Sequence, residues 1–252
     1  MDCVVSKNAK YLDLANIEAI DAAAFQNANP FPWMNINGFL TEEAFDSLYQ
    51  TLPLPCQLKP EVGKKRDYGQ QSHDRLTLQY RPGLELSPQW QKFIDILHSN
   101  EYDHFLRKLF ALESNEETVL TMHWHYASKG CSVSPHVDAK RKLGSHIFYF
   151  HKDSDWNDDW GGQTLVLKSD KRLPVHSAPY FSDFKICAAS TIKGNHSFIF
   201  QRTEQSWHGV HPLTCPADQF RKVFIVVVNR VNLQVKWRRL RGKDPDGQPL
   251  NA

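Results

Sequence analysis

The spacing of apolar residues changes once along the chain, near Thr118, and this change limits the folds that the sequence can adopt. Before Thr118, apolar residues recur at intervals of three and four, as on one face of a helix. After it, they alternate with polar residues, as in half-buried β-strands. Helices followed by strands are typical of helices packed against an antiparallel β-sandwich or barrel. We therefore predict a mainly β fold with N-terminal helices (α+β).

Four segments of the first half carry helix signals. Residues 17–25 are rich in alanine, and residues 101–112 place aromatic and leucine side chains on one face. Thr41 precedes two glutamates, as an N-cap residue precedes acidic residues of the first turn. Ser87 precedes a proline, which is a second typical helix start. The polar segment 59–80 between these helices is predicted to be a loop.

The second half contains five strand-like runs, which span residues 120–126, 146–150, 163–168, 197–200 and 222–228. A long connection, residues 169–195, separates two of them. Loops of this length in compact domains are often functional. We therefore predict that residues 169–195 border a substrate mouth together with residues 59–80.

The composition excludes several classes of protein. Of 252 residues, 41% are hydrophobic, which is ample for a packed core and excludes a disordered chain. The 30 basic and 28 acidic residues give a net charge of only +2, so the total charge does not favour nucleic acid or acidic lipid as a partner. The basic tail 236–243 is interpreted as a solvated extension, with a nucleic-acid contact as the alternative.

Cysteine usage and hydropathy predict a cytoplasmic protein. The five cysteines are an odd, scattered set without a CxxC pair, which is typical of reduced thiols. The opening MDCVVSKNAK has no apolar core and is not expected to be a signal peptide. The longest apolar run, residues 223–228, is far shorter than the roughly 20 residues that span a bilayer. No membrane association is expected.

Three residues have the chemistry of a metal site. His136 and Asp138 are one residue apart, so on a strand both side chains would lie on the same face. His208, in the segment SWHGV, offers a second imidazole. Two histidines and one carboxylate form the facial triad of non-haem Fe(II) oxygenases, which leaves coordination positions free. The alternative for the HxD pair is a surface histidine beside a solvated aspartate.

A cation follows the possible metal ligands. Arg221 stands at the start of the apolar strand RKVFIVVV and could bind a carboxylate with two hydrogen bonds if it faced a pocket. Lys222 is the competing residue, since alternation along a strand lets only one of the two face inward. A surface arginine that ends a strand is the purely structural alternative.

In this order, the motifs resemble those of the 2-oxoglutarate- and Fe(II)-dependent dioxygenases, specifically their prolyl-4-hydroxylase-like branch. The resemblance covers residues 118–229 and extends to the opening segment 31–45. The residues that carry it are Tyr126, Gly130, His136, Asp138, Tyr149, Gly161, Gly162, His208 and Arg221.

The resemblance implies a double-stranded β-helix, or jelly roll, buttressed by helices, with the metal at its open mouth. The residues that would hold Fe(II) are His136, Asp138 and His208. The residues that would contact 2-oxoglutarate are Arg221 and Tyr149, at the distal carboxylate, and Tyr126, from the first core strand. We interpret residues 1–252 as a single domain, with a mostly helical support (1–117), a jelly-roll core (118–232) and a basic tail (233–252).

The other histidines are not expected to bind the metal. His123 and His125 lie on the strand face opposite Tyr126, so they would point out of the barrel if Tyr126 points in. His146 is the better candidate for a residue that lines the site.

The activity implied is hydroxylation of an unactivated C–H bond, with consumption of O2 and 2-oxoglutarate and release of succinate and CO2. The expected substrate is a small metabolite, an amino acid or a peptidyl side chain, and ascorbate is a candidate auxiliary reductant. One alternative is a demethylase of alkylated nucleic acid. It is disfavoured because the next arginine after Arg221 is the distant Arg230 and the net charge is near zero. The other is a non-catalytic binding module. The identity of the substrate and the oligomeric state stay open.

Overall fold

The computed structural model describes residues 10–245 and 247. Two antiparallel sheets and a set of helices make up this part of the chain, which confirms the predicted mainly β fold with N-terminal helices. The helices are α1 (Leu14–Glu18), α2 (Ala22–Gln26), α3 (Glu42–Gln50), α4 (Pro88–Leu97), α5 (Asn100–Phe110) and α6 (Leu233–Leu240).

A large sheet and a small sheet face each other. The strands are β1 (Trp33–Asn37), β2 (Lys59–Glu61), β3 (Arg75–Gln79), β4 (Thr118–Ala127), β5 (Val133–His136), β6 (Lys142–Tyr149), β7 (Leu165–Lys168), β8 (Lys185–Ala189), β9 (His196–Gln201), β10 (His208–Val210) and β11 (Arg221–Arg230). The seven-stranded sheet has the order β1-β9-β6-β11-β4-β3-β2, and the four-stranded sheet has the order β5-β10-β7-β8.

The predicted helix starts are correct where a side chain caps the helix. Thr41 accepts a hydrogen bond from the backbone of Ala44 and begins α3, and Ser87 caps α4 in the same way. The predicted helix 17–25 is two short helices, because Asp21 accepts hydrogen bonds from two backbone N–H groups and starts α2 anew.

The helices cover the outer face of the large sheet. Trp90 of α4 packs edge-on against Trp124, Phe150 and Phe224, with ring centroids 5.0–5.2 Å apart. Its indole N–H donates to the backbone oxygen of Leu48, so the ring is buried without an unpaired polar atom. This aromatic layer fixes the helices on one side of the sheet and leaves the other side for a cavity.

The N-terminal part contributes more than helical support. Within residues 59–80, predicted to be a loop, β2 and β3 extend the large sheet beyond β4, and β1 pairs with β9 at the other edge. The loop prediction was wrong because both strands are short, and β2, the edge strand, has the sequence KPE with two charged side chains. Arg75 and Glu61, which pair across them at 2.6 Å, give no apolar signal.

Two other segments differ from the sequence-based interpretation. The connection 169–195 contains β8, which pairs with β7 at the edge of the small sheet. The basic tail begins with α6, a helix that the sequence interpretation did not include, and most of its side chains are exposed to solvent. Val235 is buried, and the Lys236 ammonium lies 3.2 Å from the carboxylate of Glu117.

The prediction of free thiols agrees with the four cysteines that the structure describes, while Cys3 and the opening residues 1–9 lie outside its described range. Across residues 10–245, helices are too short or too polar to cross a bilayer.

Gly144 on β6 allows α5 to approach the sheet, and we predict that Gly144→Ala is strongly destabilising. A Cβ atom there would overlap the backbone oxygen of Phe200 and the ring of Phe110. We expect the free energy of unfolding to fall by about 2–3 kcal/mol, as overpacked cores do. Urea denaturation followed by circular dichroism measures this change.

Gly130→Ala is the matched control, because Gly130 has φ +82° but no neighbouring atom within 4 Å of the point where an alanine Cβ would lie. The free energy of unfolding of this variant should fall by only about 1 kcal/mol, because alanine is less stable than glycine in the left-handed backbone conformation. Equal losses for the two variants would contradict the role given to close packing at Gly144.

Candidate active site

Two short paired strands of the small sheet bring the predicted metal ligands together. β5 ends at His136 and β10 begins at His208, and the two residues are direct partners in the antiparallel register. Asp138 follows β5. One potential ligand atom from each side chain lies within 4.8 Å of the other two. The structure therefore places all three residues around one point, as the sequence spacing predicts.

Backbone carbonyl groups orient both imidazoles. Nδ1 of His136 lies 2.9 Å from the oxygen of Ser134, and Nδ1 of His208 lies 2.9 Å from the oxygen of Ser206. A hydrogen bond to a carbonyl requires a proton on Nδ1, so Nε2 keeps its lone pair. Such contacts hold histidine ligands in the orientation that a metal needs.

The protonation states also suit a cation. Burial lowers the pKa of both His136 and His208, so both rings are neutral at neutral pH. Burial raises the pKa of Asp138, but the positive charge and hydrogen bond of Lys142, together with the two neighbouring imidazoles, outweigh burial, so the pKa lies below its ordinary value. Lys142 Nζ is 2.8 Å from one carboxylate oxygen, and the Ser145 hydroxyl donates to the other at 3.3 Å. Neutral imidazoles and an ionised carboxylate are the forms that bind metals.

This donor set fits Fe(II). Two imidazole nitrogens and one carboxylate oxygen on one side of an ion leave positions open toward the cavity, which is the arrangement of non-haem Fe(II) oxygenases. A structural zinc site would instead be closed by a fourth protein ligand. Among the described residues, no fourth histidine, cysteine or acidic side chain joins this cluster.

Arg221 is buried on the cavity wall without a counter-charge. Its Nε donates to the backbone oxygen of Gly162 at 2.5 Å, and Nη2 lies 3.4 Å from the Thr164 hydroxyl. In the part of the chain that the structure describes, no carboxylate lies within 4.0 Å of its guanidinium. A buried cation without a partner is costly, and an anionic ligand would remove that cost.

Lys222 faces the other side of the sheet. Its ammonium lies 3.4 Å from the carboxylate of Asp155 and 5.6 Å from the centre of the Tyr49 ring, under the helices. The alternation along β11 therefore leaves Arg221 as the residue that points into the cavity.

Tyr149 lies next to Arg221. The guanidinium carbon is 5.5 Å from the centre of its ring. Its hydroxyl oxygen is 2.7 Å from the hydroxyl of Thr164 and 2.8 Å from that of Ser190. The structure thus groups Tyr149, Thr164 and Arg221 in one buried polar cluster.

Tyr126 lies on the opposite face, and the prediction that it reaches the co-substrate is wrong. Its hydroxyl donates to the backbone oxygen of Pro53 at 2.8 Å, within the helix-covered core. The cross-strand register explains the error. Tyr126 pairs with Lys222, whereas Ala127 pairs with Arg221, and directly paired residues share a face of the sheet.

The same register reverses the prediction for the other histidines. His123 and His125 line the cavity, with ring centroids 5.5 Å apart, instead of pointing out of the barrel. His146 does not line the cavity. It is fully buried under the helices, where its two ring nitrogens contact the hydroxyls of Tyr102 and Ser197.

The cavity has a volume of about 1580 Å³ and lies between the sheets, with the three converging residues on its wall. That volume exceeds the roughly 300–1,000 Å³ typical of small-molecule sites. Residues from both predicted border segments, 59–80 and 169–195, line it. Sequence reasoning missed His73, whose ring centroid is 5.0 Å from that of His136 and whose Nε2 lies 3.0 Å from the Ser134 hydroxyl.

Comparison with known proteins identifies the class of enzyme. Residues 121–228 match the family model of the 2OG-Fe(II) oxygenase superfamily. The chain therefore carries a 2OG-Fe(II) oxygenase domain, which confirms the superfamily and the dioxygenase class predicted from the motifs. No curated protein matches the chain significantly.

Solved structures of prolyl hydroxylases share the fold. A Pseudomonas putida prolyl-4-hydroxylase aligns with TM-score 0.56 and 15% identity over 84% of this chain and 99% of that one. A Trichoplax adhaerens prolyl hydroxylase was solved in complex with a peptide fragment of the hypoxia inducible factor oxygen degradation domain. It aligns with a TM-score of 0.53 and 15% identity, over 85% of this chain and 90% of that one. A Phytophthora capsici prolyl 4-hydroxylase aligns with a TM-score of 0.54 and 11% identity, over 87% of this chain and 65% of that one. These likenesses confirm the predicted jelly-roll fold, which this chain shares with prolyl hydroxylases.

We predict that the protein binds one Co(II) ion, used as a spectroscopic substitute for Fe(II), through the three converging side chains. His136→Ala should abolish this binding, whereas His123→Ala, which removes a cavity histidine outside the cluster, should leave it unchanged. Isothermal titration calorimetry with the metal-free protein measures both. Metal binding that survives His136→Ala and is lost in His123→Ala would place the ion elsewhere in the cavity.

Proposed function

We propose that the protein hydroxylates an unactivated C–H bond of a small metabolite, an amino acid or a peptidyl side chain, with conversion of 2-oxoglutarate and O2 to succinate and CO2. One observation carries this proposal. The cluster of His136, Asp138 and His208 opens onto the same cavity as Arg221, a buried guanidinium without an acidic partner in the described part of the chain. A metal site and an anion site in one cavity are what a bound 2-oxo acid requires.

In this proposal His136, Asp138 and His208 hold Fe(II). The bound iron would supply the O2-dependent oxidation that an unactivated C–H bond requires. Lys142 and Ser145 each donate to one oxygen of Asp138 and so keep the carboxylate directed at the cluster. Ascorbate is proposed as an auxiliary reductant, as in the sequence-based expectation.

Arg221 would bind the distal carboxylate of 2-oxoglutarate. Its Nε is held by Gly162, so the guanidinium keeps a fixed orientation and loses little side-chain freedom when an anion binds. We assign Tyr149 to the same end of the co-substrate site. Its hydroxyl contacts Thr164, which also contacts Arg221, so the two hydroxyls and the guanidinium form one polar group.

The inner part of the cavity is apolar beside these polar groups. Ile147, Phe200 and Ile225 line it. Apolar walls limit the access of water to the reacting groups and strengthen the electrostatic contacts of Arg221. Turnover of 2-oxoglutarate would therefore be sheltered from bulk solvent.

A peptidyl substrate agrees with the size of the cavity. The Trichoplax adhaerens enzyme was solved with a peptide fragment, and its fold covers 85% of this chain. A cavity of about 1580 Å³ leaves space beside a bound co-substrate for a side chain or a small molecule. The alternative of a non-catalytic jelly-roll module is disfavoured, because a module without turnover does not need both the cluster and the buried Arg221.

We predict that the protein forms succinate from 2-oxoglutarate when Fe(II) and O2 are present, and that Arg221→Ala raises the KM for 2-oxoglutarate about 10- to 100-fold. This range follows from the loss of a charge-assisted pair of about 1.5–3 kcal/mol. Lys222→Ala is the matched control and should change the KM less than about twofold, because Lys222 faces the helices. Mass-spectrometric detection of succinate gives both values.

The reverse order of effects would show that Lys222 binds the co-substrate. No succinate formation in the wild-type protein, with metal binding intact, would favour the non-catalytic module over the proposed oxygenase.

A further inference from the structure

Positive charge is concentrated around the cavity. Its lining contains eleven Lys and Arg side chains against four Asp and Glu, an excess of seven positive charges, whereas the whole chain carries only +2. The basic residues are Lys59, Lys64, Lys65, Arg66, Arg75, Arg81, Lys140, Arg141, Lys142, Arg202 and Arg221. The acidic residues are Glu61, Asp67, Asp74 and Asp138.

The proposed cofactors do not neutralise this excess. Fe(II) would add two positive charges, and 2-oxoglutarate would add two negative charges. The co-substrate therefore balances the metal, and the cavity keeps its basic character for whatever else binds there.

Ion pairs within the described lining involve neither Arg221 nor Arg66. Glu61 pairs with Arg75 at 2.6 Å and with Lys64 at 3.2 Å, and Asp138 pairs with Lys142 at 2.8 Å. Arg66, in the loop between β2 and β3, has no ion pair or hydrogen bond with any residue in the described range. Its Nε is also shielded from solvent and has no hydrogen-bond partner.

The position of Arg66 relates it to the metal cluster. It lines the same cavity as His136 and Asp138, on the wall formed by the β2–β3 segment. Nε of Arg75, on the same wall, is likewise shielded and has no hydrogen-bond partner among the described residues. An unpaired, half-buried guanidinium beside a second one is a favourable place for an oxyanion, since each guanidinium offers a planar pair of donors.

We propose that the substrate of this enzyme is an organic anion, with a phosphate or carboxylate group that binds Arg66 at the cavity mouth while its C–H bond lies at the metal cluster. This inference rests on the proposed function for the reaction. The anion site itself rests only on the arrangement of charges. A nucleic acid would offer the same phosphate chemistry, but a small anion is favoured. Single-strand binding uses rows of aromatic side chains, and the exposed aromatic ring at this mouth, Tyr68, is stacked on His176 with ring centroids 4.6 Å apart.

The test measures anion binding without metal or turnover. The probes are inorganic phosphate and malonate, with glycerol as the neutral control. They are titrated into metal-free Arg221→Gln protein, so that the Arg221 guanidinium does not contribute to binding. Ligand-observed NMR gives the dissociation constants. We expect phosphate, malonate or both to bind, and Arg66→Gln in this background to weaken binding about 10- to 100-fold. The stronger probe indicates whether the substrate carries a phosphate or a carboxylate.

Arg239→Gln is the matched control, because Arg239 is an exposed arginine on α6 outside the cavity lining. It should leave the affinities unchanged. Circular dichroism of each variant verifies that it is folded.

Equal affinities with and without Arg66, or binding of glycerol as strong as that of the anions, would overturn the proposal. Single-stranded DNA that binds in an Arg66-dependent manner, without binding of phosphate or malonate, would overturn it in favour of nucleic acid. Because these titrations need no iron, failure of succinate formation would refute the proposed function and leave the anion site standing. Loss of anion binding alone would refute only the substrate class.

Discussion

The alternation of side chains along β11 decides the chemistry of both faces of the large sheet. β11 is a central strand, paired with β4 on one side and β6 on the other, so its register fixes that of its neighbours. Phe224, Val226 and Val228 face the helices, and Arg221, Ile225 and Val227 face the cavity. A shift of one residue would bury Lys222 in the cavity and place Arg221 under the helices. The aromatic packing of Phe224 against Trp90 opposes that shift, so the helical layer indirectly holds the guanidinium in place.

The small sheet contributes the other half of the site through a single pair of residues. His136 and His208 are direct partners across β5 and β10, and each ring is held by the backbone oxygen two residues before it. Because the two strands are short, the imidazoles lie at strand ends, where a cation can approach from the cavity. The neutral rings and the ionised Asp138 follow from burial and from the neighbouring ammonium of Lys142.

The sequence predicted the parts of the site that depend on short-range geometry. The i, i+2 spacing of His136 and Asp138 and the apolar strand after Arg221 both indicated their places correctly. The error concerned which face of the sheet each residue of β4 occupies. Whether Tyr126 or His125 faces the cavity depends on the register of β4 against β11, which connects residues about a hundred positions apart and leaves no local signal. The cavity wall from β2 and β3 was missed because β2 is only three residues long with two charged side chains, and the segment between the two strands is polar.

Net charge was a poor guide to the partner for a related reason. The near-zero total hides a basic cavity, since most acidic side chains lie elsewhere on the molecule. The total charge therefore says little about an anionic substrate, because the fold gathers Arg66, Arg75 and Arg221 around one cavity.

A crystal structure of the protein with Mn(II) and 2-oxoglutarate, under conditions that exclude turnover, tests the central claim most directly. We expect metal density between His136, Asp138 and His208, with the distal carboxylate of 2-oxoglutarate paired to the Arg221 guanidinium. A metal ion bound elsewhere, or a carboxylate paired with Lys222 or Arg66 in place of Arg221, would contradict it.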